Sequence, residues 1–599
     1  MAEKKVKKDD ELIINDSTKQ ESDQPDTQPH TELEGKSLNE EPETPSGESA
    51  LDQPTPKKHR WSRKKIALVV SAALIVLIAV LALIPATRYG IAGLVVKRDV
   101  TFTLRDSKTN KPVSHVAIEV AGQIAITDAK GSASFKSLPV GIKTFDIQKK
   151  NYKNFNTTQT VPIFGSNPTF DFAIEATGRQ VPVKIINKIS QKPVEGADIT
   201  ADGTSSKTDK NGEAVLVLPA DKDTVDASVT NPGYNLAKTT ITVTEQKDDK
   251  NTFTITPAGK LYFLSKRSGT IDVLKSDLDG GNVETVLKGT GKEEDRDTVM
   301  LASRDWKYLA LLSRRDSDKP KVYVIETATG KLSTVDEGDA NFELKGWSNQ
   351  HLVYTVGRSN LKPWQSKGAA LKSYNATSSQ LNTLDETAAV GNESGYANQW
   401  FNSVYILNNL LVYTKNWAGY TNVVAGQHPE ALSVRPDGQN RQTIKNFGDG
   451  YELTAKAYEP QEIYFRASKW AGGVSASEFY EYEDGQIKKV TATEEQFAQF
   501  YPTYLISPSG SNTFWYEPRD GKNTLFVGDK DGANEKQIAS LSEYTPYGWY
   551  GEDYLLVSKG GSELYVISRQ NPSAAPLKVT DYHKPRIDFA GYGYGYGGF

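Results

Sequence analysis

Residues 527–534 read Val527-Gly528-Asp529-Lys530-Asp531-Gly532-Ala533-Asn534. An apolar strand runs here into a tight turn. Gly supplies a positive φ, and the Asp and Asn side chains accept bonds from nearby backbone amides. Relatives of this word recur at Leu278-Asp279-Gly280-Gly281-Asn282, Thr329-Gly330-Lys331, Pro436-Asp437-Gly438-Gln439-Asn440 and Glu483-Asp484-Gly485-Gln486. A second word opens each unit. It is seen in Ser303-Arg304-Asp305-Trp306-Lys307-Tyr308, in Gly346-Trp347-Ser348 before Leu352-Val353-Tyr354, in Ile506-Ser507-Pro508-Ser509-Gly510, and in Gly548-Trp549-Tyr550 before Leu555-Leu556-Val557. Units begin near residues 260, 306, 350, 408, 461, 511 and 553, at spacings of about 42 to 58 residues. That is the period of four-stranded propeller blades. The count is seven, and six or eight also fit.

These words resemble the TolB-like propeller repeats, in which an S-P-D-G-like turn precedes a strand and a D-x-D-G-x-N-like turn separates two later ones. The resemblance implies a β-propeller over residues 258–585. It implies no activity, because propellers host unrelated functions. Residues 586–599 are a Gly/Tyr-rich low-complexity tail, expected to be flexible.

Upstream the chain repeats itself. Lys111-Pro112-Val113, Thr127-Asp128-Ala129-Lys130-Gly131, Leu138-Pro139 and Tyr152 are followed in the same order by Lys192-Pro193-Val194, Thr208-Asp209-Lys210-Asn211-Gly212, Leu218-Pro219 and Tyr234. Pro112 to Pro193 and Gly131 to Gly212 are both 81 residues. A shared order of four landmarks at a nearly constant offset indicates a duplication. Short apolar strands between turn signals predict two small β-sandwiches, 99–177 and 178–257. The pattern resembles the carboxypeptidase regulatory-like (transthyretin-like) family, which implies spacer or binding modules without catalysis. The second copy keeps Gly196-Ala197 and Gly233-Tyr234. The first is more divergent, with His115-Val116 and Asn151-Tyr152 at those steps.

Before the modules stands Ile66–Ile84, IALVVSAALIVLIAVLALI, without a charge. At about 1.5 Å per residue it matches the hydrocarbon core of a bilayer. Lys57, Lys58, Arg60, Arg63, Lys64 and Lys65 precede it, whereas Arg88, Lys97 and Arg98 follow sparsely. The positive-inside rule then places the N-terminus in the cytosol and the modules outside. The long preceding region and the absence of a small-x-small site favour an uncleaved single-pass signal anchor over a signal peptide. Residues 1–56, acidic and nearly free of aromatics, predict a disordered cytosolic tail. Residues 57–65 form a basic juxtamembrane segment suited to anionic headgroups, and 85–98 a linker. The expected fold is therefore mainly β, behind a disordered tail and one transmembrane helix.

The chain has no cysteine and a formal charge of −4. That excludes disulfides, thiolate metal sites and a Cys nucleophile, and gives no reason to expect a nucleic-acid partner. For an extracytoplasmic protein of this size it favours a bacterial cell surface. No G-x-S-x-G, H-E-x-x-H, Walker or dinucleotide word occurs, so no catalytic residue, metal or cofactor is assigned. Asp529, Asp531 and Asn534 offer hard oxygens, but a hairpin turn accounts for them better than calcium.

One constellation points to binding. Trp364, Trp417 and Trp470 are each 53 residues apart, and each follows the first strand of its unit. Equivalent loops of adjacent blades emerge on one face, with Arg358, Asn360, Lys415, Asn416, Tyr420 and Lys469 nearby. Indoles beside amides and cations suit stacking on sugars or on cationic and aromatic peptide groups. The same indoles could pack between blades. The sequence thus reads as a membrane-anchored surface protein whose propeller recognises an envelope or cell-surface glycan or protein. A propeller-type glycan-cleaving enzyme and a single-pass sensor with a cytosolic partner are the alternatives.

Overall fold

The computed structural model describes residues 62–243, 251–407, 409–420, 426–459, 462–471, 474–498, 505–538, 543–560 and 562–580. The acidic tail at 1–56, most of the basic segment at 57–65 and the Gly/Tyr-rich tail at 586–599 lie outside them.

Two helices come first. α1, Arg63–Leu83, carries the apolar run. Its side chains at 63, 66, 78 and 81–83 lie outside the described residues. Among the described residues no helix is long and apolar enough to cross a membrane. Crossing by residues 66–84 thus rests on the sequence alone. α2, Pro85–Val95, occupies most of the expected linker. Pro85 sits in the first turn of α2, where its missing N–H costs nothing, so it separates two helices rather than ending helical structure. α2 lies flush on the first module. Ala92 and Val96 pack against its core, and a Cβ at Gly93 would fall 2.8 Å from the Val140 carbonyl oxygen.

The two modules share one topology. In the first, Lys97–Asp106 lies between Ser132–Pro139 and Thr169–Ile174, opposite a sheet ordered Gln123–Ile126, Ala117–Val120, Gly141–Gln148, Phe155–Val161. In the second, Arg179–Asn187 lies between Glu213–Leu218 and Thr252–Ile255. Its other sheet runs Thr204–Lys207, Asp198–Ala201, Thr224–Thr230, Ala237–Thr242. The repeated words hold the two sheets of each module together. Thr127 Oγ1 donates to the Val113 carbonyl at 2.8 Å and accepts from the Val116 amide. Thr208 does the same with Val194 and Ala197. Gly131 and Gly212 have φ of 69° and 72°. A Cβ at either would meet a backbone carbonyl at 2.4 Å, so no other residue fits that turn.

The modules are joined by partly buried polar bonds. Lys149 Nζ, on the first, donates to the Ser114 carbonyl at 2.7 Å and to the Ser205 carbonyl of the second at 2.5 Å. Asn151 Nδ2 donates to the Val217 carbonyl at 2.6 Å, and Val217 itself is buried in the first module's core.

From Lys260 onward, seven successive antiparallel sheets follow among the described residues. They span 260–287, 299–336, 340–386, 389–446, 451–490, 505–537 and 544–580. This is a β-propeller. The first strands of consecutive sheets lie side by side and indoles interlock them. Trp347 Nε1 donates to the Leu301 carbonyl at 3.1 Å, and Trp549 Nε1 to the Leu505 carbonyl at 2.6 Å. The D-x-D-G-x-N word closes hairpins in the first and sixth sheets. Asn282 Nδ2 donates to Asp277 Oδ2, and Asn534 Nδ2 to Asp529 Oδ2, both at 2.6 Å.

Among the described residues the first sheet has three strands and the fourth has five, the extra one preceding Gly395–Leu407. In the four-stranded sheets the turns between first and second strands, and between third and fourth, lie at one rim, and the second-to-third hairpin and the link to the next sheet lie at the opposite rim. The second module meets the first of these rims. Lys188 Nζ reaches Asp279 Oδ2 at 2.7 Å, Asn187 Nδ2 reaches Tyr554 Oη at 3.4 Å, and Asn571 Nδ2 donates to the Ser190 carbonyl at 2.8 Å. Ile189, between them, is buried in the propeller core.

Burial pushes the Lys149 ammonium down to about 8 from 10.5. Its folded pKa lies below its unfolded value. Charging it therefore costs stability at low pH, and that cost fades as pH rises from about 8 toward 10.5. In thermal denaturation the parent should gain stability relative to Lys149→Met across that window; a constant difference would contradict the assignment. Trp347 is fully buried, so Trp347→Ala should cost about 3–5 kcal/mol in chemical denaturation.

Candidate functional site

The candidate residues come from the third, fourth and fifth sheets. The strands concerned are His351–Arg358, second in the third sheet, Leu410–Tyr420, third in the five-stranded fourth sheet, and Glu462–Ala471, second in the fifth. All three run toward the rim opposite the second module, so Arg358, Tyr420 and Ala471 end on the free rim. The strands of the fourth and fifth sheets extend further than the sequence suggested. Trp417 and Trp470 thus lie within strands, opposite Gln399 and Ser475, and not in loops beyond them. Trp364 does occupy a connection, between His351–Arg358 and Ala369–Asn375.

The indoles differ in setting. Trp364 is half-buried, and its ring lies 5.8 Å from that of Tyr396 on the neighbouring sheet. This contact between adjacent blades is the packing alternative at that position. Trp417 is half-buried. Its strand neighbour Asn416 reaches the fifth sheet, so Trp417 faces the third, because successive side chains alternate. Among the described residues no ring contact joins Trp364 to Trp417. The side chains of Trp470 and Tyr420 lie outside the described residues.

The polar candidates divide into two groups. Lys415 and Asn416 are buried, at 4% and 1% exposure, which removes them from the surface the sequence reading gave them. Asn416 Nδ2 donates to the Leu453 carbonyl at 2.8 Å, and its Oδ1 accepts from the Leu453 amide at 2.9 Å. It thereby completes the backbone pairing of the next sheet's first strand. Lys415 Nζ meets Asp385 Oδ2 at 3.1 Å and Glu430 Oε2 at 3.6 Å. Asp385 also accepts from Arg441 and from the Tyr413 hydroxyl, both at 2.9 Å. Burial alone would raise the Asp385 carboxyl, but Arg441 and Lys415 hold it below the usual carboxylate range. This ion cluster explains why a lysine is tolerated inside the sheet packing.

Arg358, Asn360 and Lys469 remain nearer the surface. Arg358 bonds Glu386 Oε1 at 3.0 Å, and Lys367 bonds Glu386 Oε2 at 2.9 Å. Lys367 and then Arg358 hold the Glu386 carboxyl low against its partial burial. Asn360 is exposed. Lys469 Nζ lies 5.3 Å from the ring centre of Tyr451, its cross-strand neighbour. Tyr396, Tyr451 and Glu386 were missed by sequence reasoning. Only strand register, which brings distant residues opposite each other, reveals them.

Among the described residues no group of three or more His, Asp or Glu side chains is placed to hold a metal ion. A small crevice lined by Ala302, Arg304, Ile506, Pro508 and Trp549 opens at the module-side ends of the inner strands, away from the indoles.

No family model matches the chain, and no curated protein does. Solved structures similar to it include a β-propeller domain. TolB from Acinetobacter baumannii shares 12% identity over 52% of this chain and 74% of that one, with a TM-score of 0.23. The β-propeller domain of the trilobed protease from Pyrococcus furiosus shares 11% over 60% and 95%, with a TM-score of 0.33. A protein of Listeria monocytogenes EGD-e shares 13% over 53% and 90%, with a TM-score of 0.32.

Asn416→Ala would leave the buried Leu453 amide without its acceptor, while the Leu453 carbonyl would keep its bond from Asn402 Nδ2 at 2.7 Å. It should cost about 1–3 kcal/mol, read as a lowered thermal midpoint. Asn360→Ala, at an exposed position, should leave the midpoint unchanged.

Proposed function

We propose that this chain is a membrane-anchored, extracytoplasmic binding protein that presents the free rim of its propeller to an envelope or cell-surface glycan or protein. The charge-free run at 66–84, with its upstream basic cluster, is the anchor in this reading, and the N-terminus is cytosolic. The paired modules, resembling transthyretin-like spacers, carry the propeller outward.

The observation behind the reading is positional. The second module covers the rim at the first and seventh sheets. Trp364, in a connection of the third sheet, and Trp417 and Trp470, within strands of the fourth and fifth, belong to three adjacent sheets on the other side. Rigid sheets that present aromatic groups at a free rim are a common setting for recognition. Trp364, Trp417 and Trp470 supply stacking faces, with Tyr420, Arg358, Asn360 and Lys469 as polar neighbours. Lys415 and Asn416 support that surface from within.

The test compares the full chain with a Trp364→Ala, Trp417→Ala, Trp470→Ala variant in pull-down on intact cells and on isolated envelope polysaccharide, with circular dichroism as the folding control. At least a tenfold loss of retention with the fold kept is expected. Equal retention by two folded proteins would overturn the assignment of this rim.

A further inference from the structure

The first module carries large apolar side chains on its outside. Leu94, Val95, Ile124, Ile126, Ile142 and Phe164, on α2 or on the module it packs against, are 62–83% exposed. In the propeller the most exposed large apolar side chain among the described residues is Val283, at 45%. Apolar groups that far out, gathered on one small unit, mark a surface that meets an apolar partner.

Four of these side chains share one end of the module. α2 finishes at Leu94-Val95, and the next carbonyl, of Val96, accepts from the Val140 amide at 3.2 Å. Gly141 then opens a strand against α2: a Cβ there would lie 3.5 Å from the Tyr89 Cβ. Ile142 follows Gly141 in that strand. Val161 pairs with Gly141, and the connection after Val161 carries Phe164. Arg98 ties that connection down, donating to the Ile163 carbonyl at 2.8 Å and to the Gly165 carbonyl. Leu94, Val95, Ile142 and Phe164 thus belong to segments that meet at the C-terminal end of α2. Ile124 and Ile126 sit on another strand, with the carboxylate-bearing Glu119 opposite Ile124.

The same end is basic, although the whole chain is acidic. Residues 85–99, 136–145 and 160–168 build it, and they hold Arg88, Lys97, Arg98, Lys136 and Lys143 against one carboxylate, Asp99. Asp99 is already engaged, accepting from the Ser137 amide at 2.9 Å and from Lys136 at 3.3 Å. Arg88 and Lys97 are exposed. Large apolar groups beside cations on a short helix suit the headgroup layer of a bilayer, where the apolar groups enter and the cations meet anionic lipid.

Position along the chain names the partner. Ile84, the last residue of the charge-free run, is extended, with φ −80° and ψ 117°, so the helix breaks there and α2 starts at the boundary of the run. Leu94 lies ten residues further, about 15 Å along a helix. The headgroup layer is about 5–8 Å thick on each side of the hydrocarbon. A helix standing upright would lift Leu94 and Val95 out of that layer, whereas one lying along the surface keeps them in it. We propose that this end of the first module docks on the bilayer, with α2 lying in the headgroup layer, Leu94, Val95, Ile142 and Phe164 entering it, and Arg88, Lys97 and Lys143 on anionic headgroups. The docking rests on the anchor at 66–84 in the proposed function. It makes the first module a foot that sets the height and tilt of the second module and the propeller above the membrane.

The absence of native cysteine makes the test direct. Phe164→Cys, Ile75→Cys and Lys522→Cys are each made in the full chain, spin-labelled and reconstituted in vesicles of equimolar phosphatidylcholine and phosphatidylglycerol, with circular dichroism as the folding control. Collisions with oxygen, which dissolves in the bilayer, are compared with collisions with a nickel chelate, which stays in water. Ile75 reports the anchor and Lys522, exposed on the propeller, reports water. The oxygen-to-nickel ratio at Phe164 should exceed that at Lys522 at least threefold, with Ile75 higher still. A ratio at Phe164 equal to that at Lys522, with Ile75 in lipid, would overturn the docking and leave the anchor standing. Ile75 in water would overturn both. Phe164 shielded from oxygen and chelate alike would mean that a protein, such as a second copy, covers this face, and would also overturn the proposal. If Phe164→Cys fails to fold, Val95→Cys gives the same reading.

Discussion

One carboxylate, Asp279, decides which face of the propeller is free. It sits at the turn that ends the second hairpin of the first sheet. It accepts from Lys188 Nζ and Thr256 Oγ1, both at 2.7 Å, and from the Gly281 amide at 3.0 Å. Burial alone would raise its pKa, but Lys188 and Thr256 hold it below the ordinary carboxylate range. A partly buried anion with three donors is fixed in orientation. The second module is therefore mounted on the turn side of the first and seventh sheets. The opposite rim, where His351–Arg358, Leu410–Tyr420 and Glu462–Ala471 end, is left uncovered by it.

Mounting and interlocking use the same economy of residues. The turn that carries Asp279 also places Asn282 on Asp277, as Asn534 is placed on Asp529 five sheets later. Indoles from inner strands bond the preceding sheet's carbonyls at Leu301 and Leu505. The first sheet uses a different device: Trp306, Tyr262 and Tyr550 bridge the seventh sheet to the second beside Lys260–Ser265.

Much of this was legible in the sequence because backbone geometry demands particular residues. Gly131 and Gly212 stand where a Cβ would strike a carbonyl, so the duplication survives as a word. The D-x-D-G-x-N turn survives for the same reason. What was not legible depends on partners distant in the chain. Lys415 looked like a surface cation until Asp385 and Glu430 were brought beside it. Asn416 looked like a rim amide until Leu453 was placed opposite. Residues 85–98 read as a linker, though a proline also suits the first turn of a new helix, and α2 begins at Pro85. Trp417 and Trp470 were read as loop residues because local apolar patterning fades before their strands end; pairing with Gln399 and Ser475 carries those strands on.

The central claim is that the modules and the propeller form one rigid mount that leaves the indole-bearing rim open. Spin labels at Glu119→Cys, on the first module, and Lys522→Cys, at the open rim of the sixth sheet, test it directly, since the chain contains no other cysteine. Both positions are exposed. Pulsed dipolar spectroscopy of the full chain should give one narrow distance distribution, and Asp279→Ala should broaden it. A broad distribution in the parent, unchanged by Asp279→Ala, would contradict the account.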